Sequence, residues 1–233
     1  MAYRHINLDN FSDEIPTLLN LDNDEHNEIK SWFPTPLEGK NFKITKEGIY
    51  SMTRVKEADE LVIIISKILK TDLSKLVILD ATANMGGNVF AFSKVFKKVY
   101  AVEINKVNLI ALKHNIKSLG LNNIKIINDD SVRLLTSSRS LVFPDVIFFD
   151  PPWGGVNYDK NKPVELYLSN FPMTEIINKI HKRYVSKEKQ YKLILMKVPK
   201  NYDIQTFKRT VKNHKIWFNK NKKYMIIYMV PLE

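Results

Sequence analysis

The chain has 233 residues and a formal net charge of +11 at neutral pH, and 44% of its residues are hydrophobic. This length favours one domain with a single core, and the absence of cysteine excludes a disulfide scaffold and a thiolate metal site. No apolar run approaches the ~20 residues that a membrane-spanning helix needs, so we expect no membrane association. The positive charge suits a polyanionic partner such as a nucleic acid, although a solvated lysine-rich surface explains it equally well.

The first residues, Met1 to Asn7, lack the basic and then apolar pattern of a secretory signal peptide. We therefore expect an intracellular protein, of the cytoplasm or the nucleus. The abundance of Asn and Ile suits an AT-rich genome, such as that of a protist or of a large DNA virus acting in its host cell. Nothing in the sequence indicates an oligomer, and a monomer is the expectation.

Residues 1–45 differ in character from the remainder, because they are acidic and polar at first and are interrupted by prolines. Within them, residues 12–19 and 22–32 each predict a short helix. We interpret residues 1–45 as a small N-terminal helical extension and residues 46–233 as the main domain.

From residue 55 onward, helical and strand patterns alternate along the chain. Apolar residues at helical spacing predict helices over 55–70, 89–96, 106–119, 173–184 and 204–212. Short apolar runs predict buried strands over 76–79, 98–102, 124–127, 146–149 and 193–196, and a closing antiparallel pair over 214–218 and 224–230. The alternation predicts an α/β fold, a doubly wound and mostly parallel seven-stranded sheet with helices on both faces.

The first predicted strand runs into a loop that begins at Asp80 and ends with Gly86-Gly87-Asn88. Glycines directly after a strand let the backbone approach a ligand closely, and ligands of such sheets bind at the carboxyl ends of the strands. The G-x-G-x-x-G pattern of dinucleotide-binding turns is absent. A carboxylate at Asp80 can instead face the ammonium group of an amino-acid moiety, whereas a simple tight turn is the alternative.

Acidic residues also follow the next two strands. Glu103, at the end of the second strand, can accept both ribose hydroxyls of a nucleoside. Asp129 and Asp130, after the third strand, compete for a hydrogen bond from an adenine amino group. Solvated charges at strand ends are the alternative interpretation.

The most specific motif follows the fourth strand and reads Asp150-Pro151-Pro152-Trp153-Gly154-Gly155. The prolines fix the backbone and have no N–H, so the loop is stiff and its carbonyls can accept hydrogen bonds. Asp150 and a neighbouring carbonyl can hold the hydrogens of a planar amine and direct its lone pair at a methyl donor. Trp153 can stack on a base, more strongly if the base is cationic. A proline-rich turn with a buried tryptophan is the alternative.

Together these motifs resemble class I methyltransferases that modify exocyclic amines, and the extended loop with Tyr158 is similar to that of the trimethylguanosine synthase family. Residues 43–53, 86–88 and 198–201 resemble further segments of that family, from about residue 40 to the C-terminus. The resemblance implies a Rossmann-like fold. It also implies methyl transfer from S-adenosylmethionine, without a metal, to the guanine N2 of a 7-methylguanosine RNA cap.

The same resemblance implies specific residues for the site. For the methyl donor these are Thr53, Asp80, Thr82, Gly86, Asn88, Glu103, Ile104, Asp130, Ser131 and Asp150. For the capped RNA or cap nucleotide they are Lys43, Asn115, Asp150, Pro152, Trp153, Tyr158, Lys200 and Lys222, with Asp150, Pro151 and Trp153 as the catalytic group. The chain departs from the family where Lys200 replaces an arginine, which loses bidentate phosphate geometry.

Three other functions fit parts of this pattern. An adenine N6-methyltransferase acting on DNA or RNA uses a similar loop, because adenine N6 is also an amine on an aromatic ring. A guanine-N2 methyltransferase for structured RNA would not require the 7-methyl group. A catalytically inactive RNA-binding module would keep the fold and lose donor binding.

Overall fold

The computed structural model describes residues 11–20, 27–154 and 162–232. Its strands are β1 (Thr17–Asn20), β2 (Asn41–Ile44), β3 (Val77–Asp80), β4 (Lys98–Val102), β5 (Ile124–Ile127), β6 (Val146–Phe149), β7 (Tyr167–Leu168), β8 (Phe171–Pro172), β9 (Leu193–Pro199), β10 (His214–Lys220) and β11 (Tyr224–Pro231). Its helices are α1 (Asn27–Lys30), α2 (Lys46–Ser51), α3 (Val55–Leu69), α4 (Gly87–Ser93), α5 (Lys106–Ser118), α6 (Ser131–Thr136), α7 (Met173–Ser186) and α8 (Ile204–Thr210).

Seven strands form one sheet in the order β10-β11-β9-β6-β3-β4-β5. The β3–β6, β6–β9 and β4–β5 pairs are parallel, and β9, β11 and β10 pair antiparallel in turn. The predicted α/β fold with a mostly parallel seven-stranded sheet is therefore confirmed. Among the described residues, no helix is both long enough and apolar enough to cross a bilayer.

The N-terminal segment contains an antiparallel strand pair as well as a short helix. The predicted helix over 12–19 is wrong, because Thr17–Asn20 is strand β1, with Thr17 opposite Ile44 of β2. Pairing with a strand that is distant in sequence overrides the local helical pattern. The helix predicted over 22–32 is present in part as α1, and residues 21–26 lie outside the described residues. The boundary at residue 45 stays a prediction.

Contacts divide the chain into two compact units, of which the first comprises Met1–Lys75 and Ala83–Asn128. In this unit α3 buries Ala58, Leu61 and Ile65 on one face, at the spacing of an amphipathic helix. Phe33 stacks on Phe42 of β2 with 4.0 Å between ring centroids. These apolar contacts fix the elements that carry the polar residues described below.

The second unit comprises Leu76–Thr82 and Asp129–Glu233. All four residues of β6 are fully buried, as expected for a strand that is flanked on both sides by parallel neighbours. The buried guanidinium of Arg183, on α7, is hydrogen-bonded to the segment before β6. It donates to the carbonyl oxygens of Leu135, Ser140 and Val142 at 3.2, 2.7 and 3.1 Å, and it lies 4.0 Å from the ring centroid of Phe143.

A histidine–tyrosine–histidine cluster connects α7, the residues just before β9, and β10 within the second unit. The Tyr191 hydroxyl lies 2.5 Å from Nε2 of His214 and 3.1 Å from Nδ1 of His181. Nδ1 of His214 lies 2.6 Å from the carbonyl oxygen of Lys212. Because that oxygen can only accept, Nδ1 carries the proton, and Nε2 of a neutral His214 accepts from Tyr191. Burial lowers the pKa of both histidines.

Candidate active site

In the first unit, two glycines let the start of α4 pack tightly. Gly86 has a φ of +112°, and a Cβ at this position would lie 2.4 Å from the Phe90 ring. A Cβ at Gly87 would lie 2.3 Å from the carbonyl oxygen of Thr53, so only glycine admits this backbone. The predicted donor residues Thr53 and Asn88 meet here, with Nδ2 of Asn88 donating to Oγ1 of Thr53 at 3.2 Å. Oδ1 of Asn88 is buried and accepts no hydrogen bond from the described residues.

The Glu103 carboxylate is held by backbone groups on both sides. The backbone N–H groups of Asn84 and Asn105 donate to Oε2 and Oε1 of Glu103, each at 2.7 Å. Glu103 is 8% exposed, and burial raises its pKa, with a further contribution from the negative charge of Glu47. The next side chain, Ile104, is 62% exposed. A fixed carboxylate thus lies beside an exposed apolar side chain.

Sequence interpretation missed the acid at Glu47. Its Oε2 accepts from Nδ2 of Asn108 at 3.0 Å and from Nδ2 of Asn105 at 3.3 Å. Thr45 caps α2 by accepting from Gly48 N–H, and its hydroxyl also donates to Oδ1 of Asn108 at 2.7 Å. These bonds connect the first turn of α2 to that of α5. A threonine followed by an acidic residue could have indicated the start of this short helix.

The Asn115 side chain has a structural role, and its predicted contact with an acceptor base stays a prediction. Its side chain is fully buried, and its Oδ1 accepts from the N–H of Lys43 at 2.8 Å. Its Nδ2 donates to the carbonyl oxygens of Lys43 at 3.0 Å and Met85 at 3.3 Å. Both amide atoms therefore satisfy the backbone of β2 and of the loop before α4. Lys43 is half-buried on β2, and its predicted contact with phosphate stays a prediction.

In the second unit, hydrogen bonds connect the loops after β3 and β6. Asp80 is fully buried, and its Oδ1 accepts from the N–H of Thr82 at 3.0 Å. The Thr82 hydroxyl in turn accepts from the N–H of Asp150 at 2.8 Å. The two strand-end acids, Asp80 and Asp150, are thus positioned through one threonine.

Asp150 forms a buried ion pair that the sequence interpretation did not include. Nζ of Lys197, on β9, lies 2.9 Å from Oδ2 of Asp150, and the two side chains are 8% and 13% exposed. The same ammonium lies 5.9 Å from the ring centroid of Trp153 and 5.2 Å from that of Tyr224. Lys197 is the single charged residue of the otherwise apolar strand Leu193–Pro199, and that isolation was the available signal.

The rest of the loop shows a graded exposure. Pro151 is buried, Pro152 is exposed and Trp153 is half-buried. Gly154 has a φ of +101°, which favours glycine at this turn. Gly155 and the predicted phosphate ligand Tyr158 lie outside the described residues.

Residues 199–202 form backbone and side-chain contacts with residues 162–164. Nδ2 of Asn201 donates to the carbonyl oxygen of Lys162, and the N–H of Val164 donates to the carbonyl oxygen of Asn201 at 3.0 Å. Val164 also forms an isolated parallel bridge with Tyr202. The segment that contains Lys200 therefore has an anchoring role as well. The predicted phosphate ligands Lys200 and Lys222 are both exposed.

The two candidate acids after β5 have different partners. Oδ1 of Asp129 accepts from Nε of Arg133 at 3.0 Å and pairs with its terminal nitrogen at 2.5 Å. Asp130 is the N-cap of α6, with Oδ1 accepting from the N–H of Val132 at 2.8 Å. Asp129 is thus paired with an arginine, and the role of Asp130 as a donor ligand stays a prediction. Ser131, also predicted, is 5% exposed at the start of α6.

Comparison with known proteins places these residues in a family context. Residues 75–230 match a family described as RNA cap guanine-N2 methyltransferase. An uncharacterized protein of Acanthamoeba polyphaga mimivirus is 35% identical over 144 residues, which cover 62% of this chain and 54% of that protein. The trimethylguanosine synthase of Saccharomyces cerevisiae is 28% identical over 137 residues, which cover 58% of this chain and 42% of that protein. The chain spans about half the length of these relatives.

Among solved structures, the T. thermophilus 16S rRNA N2 methyltransferase in complex with AdoMet and guanosine has the same fold. The TM-score is 0.58 at 13% identity, and the match covers 82% of this chain and 47% of that one. At this identity the likeness shows the fold alone. It confirms the Rossmann-like methyltransferase fold that the family resemblance implied.

Proposed function

Because the chain belongs to the RNA cap guanine-N2 methyltransferase family, we propose that it methylates the guanine N2 of a 7-methylguanosine RNA cap, with S-adenosylmethionine as the donor. The observation that carries the proposal is the loop Asp150-Pro151-Pro152-Trp153, with its carboxylate fixed by Lys197 and its tryptophan half-buried. The carboxylate and the proline carbonyls can accept hydrogen bonds from an amine, and the aromatic ring can stack on the planar base that carries it.

The residues of the predicted donor site fit S-adenosylmethionine. The fixed carboxylate of Glu103 suits the ribose hydroxyls, and the exposed side chain of Ile104 suits an adenine face. Asp80 suits the ammonium group, and the buried Oδ1 of Asn88 offers a further acceptor. When bound, S-adenosylmethionine would supply an electrophilic methyl group on its sulfonium, with the neutral thioether S-adenosylhomocysteine as the leaving group. The protein therefore has to bind and orient, and it needs no covalent intermediate.

The acceptor amine must be held in line with the methyl group, at roughly 3–3.5 Å for a near-attack geometry. In the proposal, Asp150 and the Pro151 carbonyl accept the two hydrogens of the amine and stabilise the positive charge that develops on nitrogen. Lys197 holds Oδ2 of Asp150, which orients the carboxylate for this role. The proton is released to water after transfer.

Stacking on Trp153 would fix the plane of the base, and a 7-methylated guanine gains from its positive charge over the ring. Lys43, Tyr158, Lys200 and Lys222 are the proposed ligands of the cap phosphates. The proposed partner is capped RNA or a cap nucleotide, and the proposed enzyme is a monomer without a metal.

The test is transfer of labelled methyl from S-adenosylmethionine to three acceptors: 7-methylguanosine diphosphate, guanosine diphosphate and an adenine-containing oligonucleotide. We expect transfer to the 7-methylated nucleotide alone. Trp153→Ala should lower kcat/KM by roughly 5- to 150-fold, the range for loss of one base–aromatic stack. Trp153→Phe should retain most activity because it keeps an aromatic face.

Trp217→Ala serves as the matched control for the two nucleotide acceptors, because it removes an exposed tryptophan from β10 of the same unit. Transfer to adenine would assign the chain to the N6 class, and transfer to unmethylated guanine would remove the 7-methyl requirement. An absence of donor binding would identify an RNA-binding module without activity and would refute the enzyme proposal.

A further inference from the structure

The positive charge of the chain is concentrated in α8 and in the hairpin formed by β10 and β11. Residues 204–231 contain seven basic residues and no acidic residue, so they contribute +7 to the chain's formal net charge of +11. The seven are Lys208, Arg209, Lys212, Lys215, Lys220, Lys222 and Lys223. All of them are exposed, so the charge lies on the surface of the second unit. We call residues 204–231 the basic hairpin region.

An aromatic pair lies within this region. Trp217 of β10 is opposite Tyr228 of β11, and their rings stack with 5.8 Å between centroids and an interplanar angle of 16°. Trp217 is 44% exposed although it is one of the largest apolar side chains. Lys215 lies two residues before it on the same face of the strand. An exposed ring with a lysine beside it is the arrangement that stacks a base and pairs its phosphate.

The other face of the same strand is basic too. Nζ of Lys208 and Nζ of Lys220 lie 4.9 and 5.7 Å from the ring centroid of Phe218. Because β10 is the outermost strand of the sheet, side chains of both faces border its open edge. Positive charge therefore surrounds the strand that carries Trp217.

The turn of the hairpin and the Asp150 loop lie at the same end of the sheet, where the parallel strands β6 and β9 end. Tyr224 pairs with Pro199 at the end of β9, and β9 runs parallel to β6, which ends directly before Asp150. From β6 to β10 there are three strand spacings, roughly 14 Å in all. Tyr224 also contacts Lys197, which pairs with Asp150. A strand of RNA that leaves the acceptor loop can thus reach β10 within a few nucleotides.

Lysines at a sheet edge also have a simpler explanation, since they prevent edge-to-edge association of sheets. That explanation accounts for the charge and leaves the tryptophan unexplained, because an exposed aromatic ring at a sheet edge promotes association. An exposed aromatic pair within a surface free of acidic residues favours a nucleic-acid partner.

We propose that the basic hairpin region is a second RNA-binding surface, which holds the single-stranded RNA that follows the modified nucleotide. Trp217 stacks on an unpaired base, and Lys208, Lys215 and Lys220 pair with phosphates. The inference rests on the proposed function only for the identity of the bound RNA. It predicts that capped RNA binds more tightly than the cap nucleotide alone.

The test measures binding and turnover with two acceptors: 7-methylguanosine diphosphate and a 7-methylguanosine-capped single-stranded RNA oligonucleotide. Fluorescence anisotropy gives Kd for the labelled RNA, and methyl transfer gives KM for both acceptors. The variants are Trp217→Ala and the triple variant Lys208→Gln/Lys215→Gln/Lys220→Gln. The control is Lys182→Gln/Lys187→Gln/Lys189→Gln, which removes the same charge from exposed positions on α7 and between α7 and β9, outside the basic hairpin region.

Trp217→Ala should raise Kd and KM for the capped RNA about tenfold, within the range for one stacked base. The triple variant should reduce the slope of log Kd against log salt by about 2, as expected for three phosphate contacts on a single strand. KM for the nucleotide should not change in either variant, and the control should bind RNA like the wild type.

An unchanged RNA Kd in both variants, or an equal loss in the control, would overturn the proposal. So would duplex RNA that binds as tightly as the single strand, because paired bases cannot stack on Trp217. If the wild type binds RNA in a Trp217-dependent manner and methylates no guanine, the proposed function fails and the surface stands. If it methylates the cap nucleotide and neither Trp217→Ala nor the triple variant changes RNA binding, only the surface fails.

Discussion

The ion pair between Lys197 and Asp150 gives the sharpest test of the acceptor loop, through Lys197→Met. Methionine keeps an unbranched side chain of similar length and removes the charge beside a carboxylate that is 13% exposed. Removing one partner of a buried pair costs about 3–5 kcal/mol. The partial exposure of Asp150 places the expected loss at the lower end of that range, about 3 kcal/mol.

A loss of that size lowers Tm by roughly 6–12 °C in a domain of this size. Urea unfolding at neutral pH would measure the free energy directly, for the wild type, Lys197→Met, Asp150→Asn and the double variant. In the double variant the carboxylate is gone as well, so we expect most of the stability to return. The coupling energy of the cycle should be at least about 1.5 kcal/mol.

Lys197→Arg is the matched control, because it keeps the charge and should retain most of the stability. A loss below about 1 kcal/mol in Lys197→Met, together with a coupling energy near zero, would refute the reasoning. The result would mean that the two groups are solvated separately in solution, and that Lys197 does not orient Asp150.

Two further predictions concern the histidine cluster and the glycine turn. Burial lowers the folded-state pKa of His181 and His214 below the ordinary value of 6.5, so the unfolded chain binds protons more readily. Stability should be full above that value and fall by up to about 1.4 kcal/mol per pH unit for each histidine as the pH decreases. Thermal unfolding across that range should show the slope, and His214→Gln should reduce it to the contribution of His181; an unchanged slope would contradict the assignment. Gly87→Ala should destabilise the protein by about 1–3 kcal/mol, because the new Cβ would lie 2.3 Å from a carbonyl oxygen. Where space allows, the same change stabilises a helix by about 0.5–1 kcal/mol, so a higher Tm would contradict the close approach of Thr53.

The elements with strong local patterns could be predicted from the sequence. Val146–Phe149 is a strand over the predicted residues, and α3 ends one residue before its predicted end. Continuous apolar runs and apolar residues at helical spacing predict such elements, because the burial of one face or of the whole strand specifies them. The strand-end acids Asp80 and Glu103 could be selected as well, because their position follows from where each strand stops.

The features that depend on distant contacts could not be predicted. Residues 17–20 form a strand because they pair with β2. The Asn115 side chain is held in place because its amide oxygen accepts a hydrogen bond from the backbone of β2. Lys197 was missed because its strand was predicted to end at Met196, which left the lysine in a loop. Each of these depends on a partner far along the chain, which a local pattern does not reveal.

The contacts of Arg183 have a consequence for the order in which the second unit folds. One guanidinium on α7 gathers three carbonyl oxygens from residues 135–142, and the described part of that segment after α6 forms no helix or strand until β6. These hydrogen bonds therefore form only when α7, some forty residues later in the chain, has packed against this segment. We expect the segment to acquire its structure after the rate-limiting step, so that mutations in it accelerate unfolding and leave the folding rate unchanged.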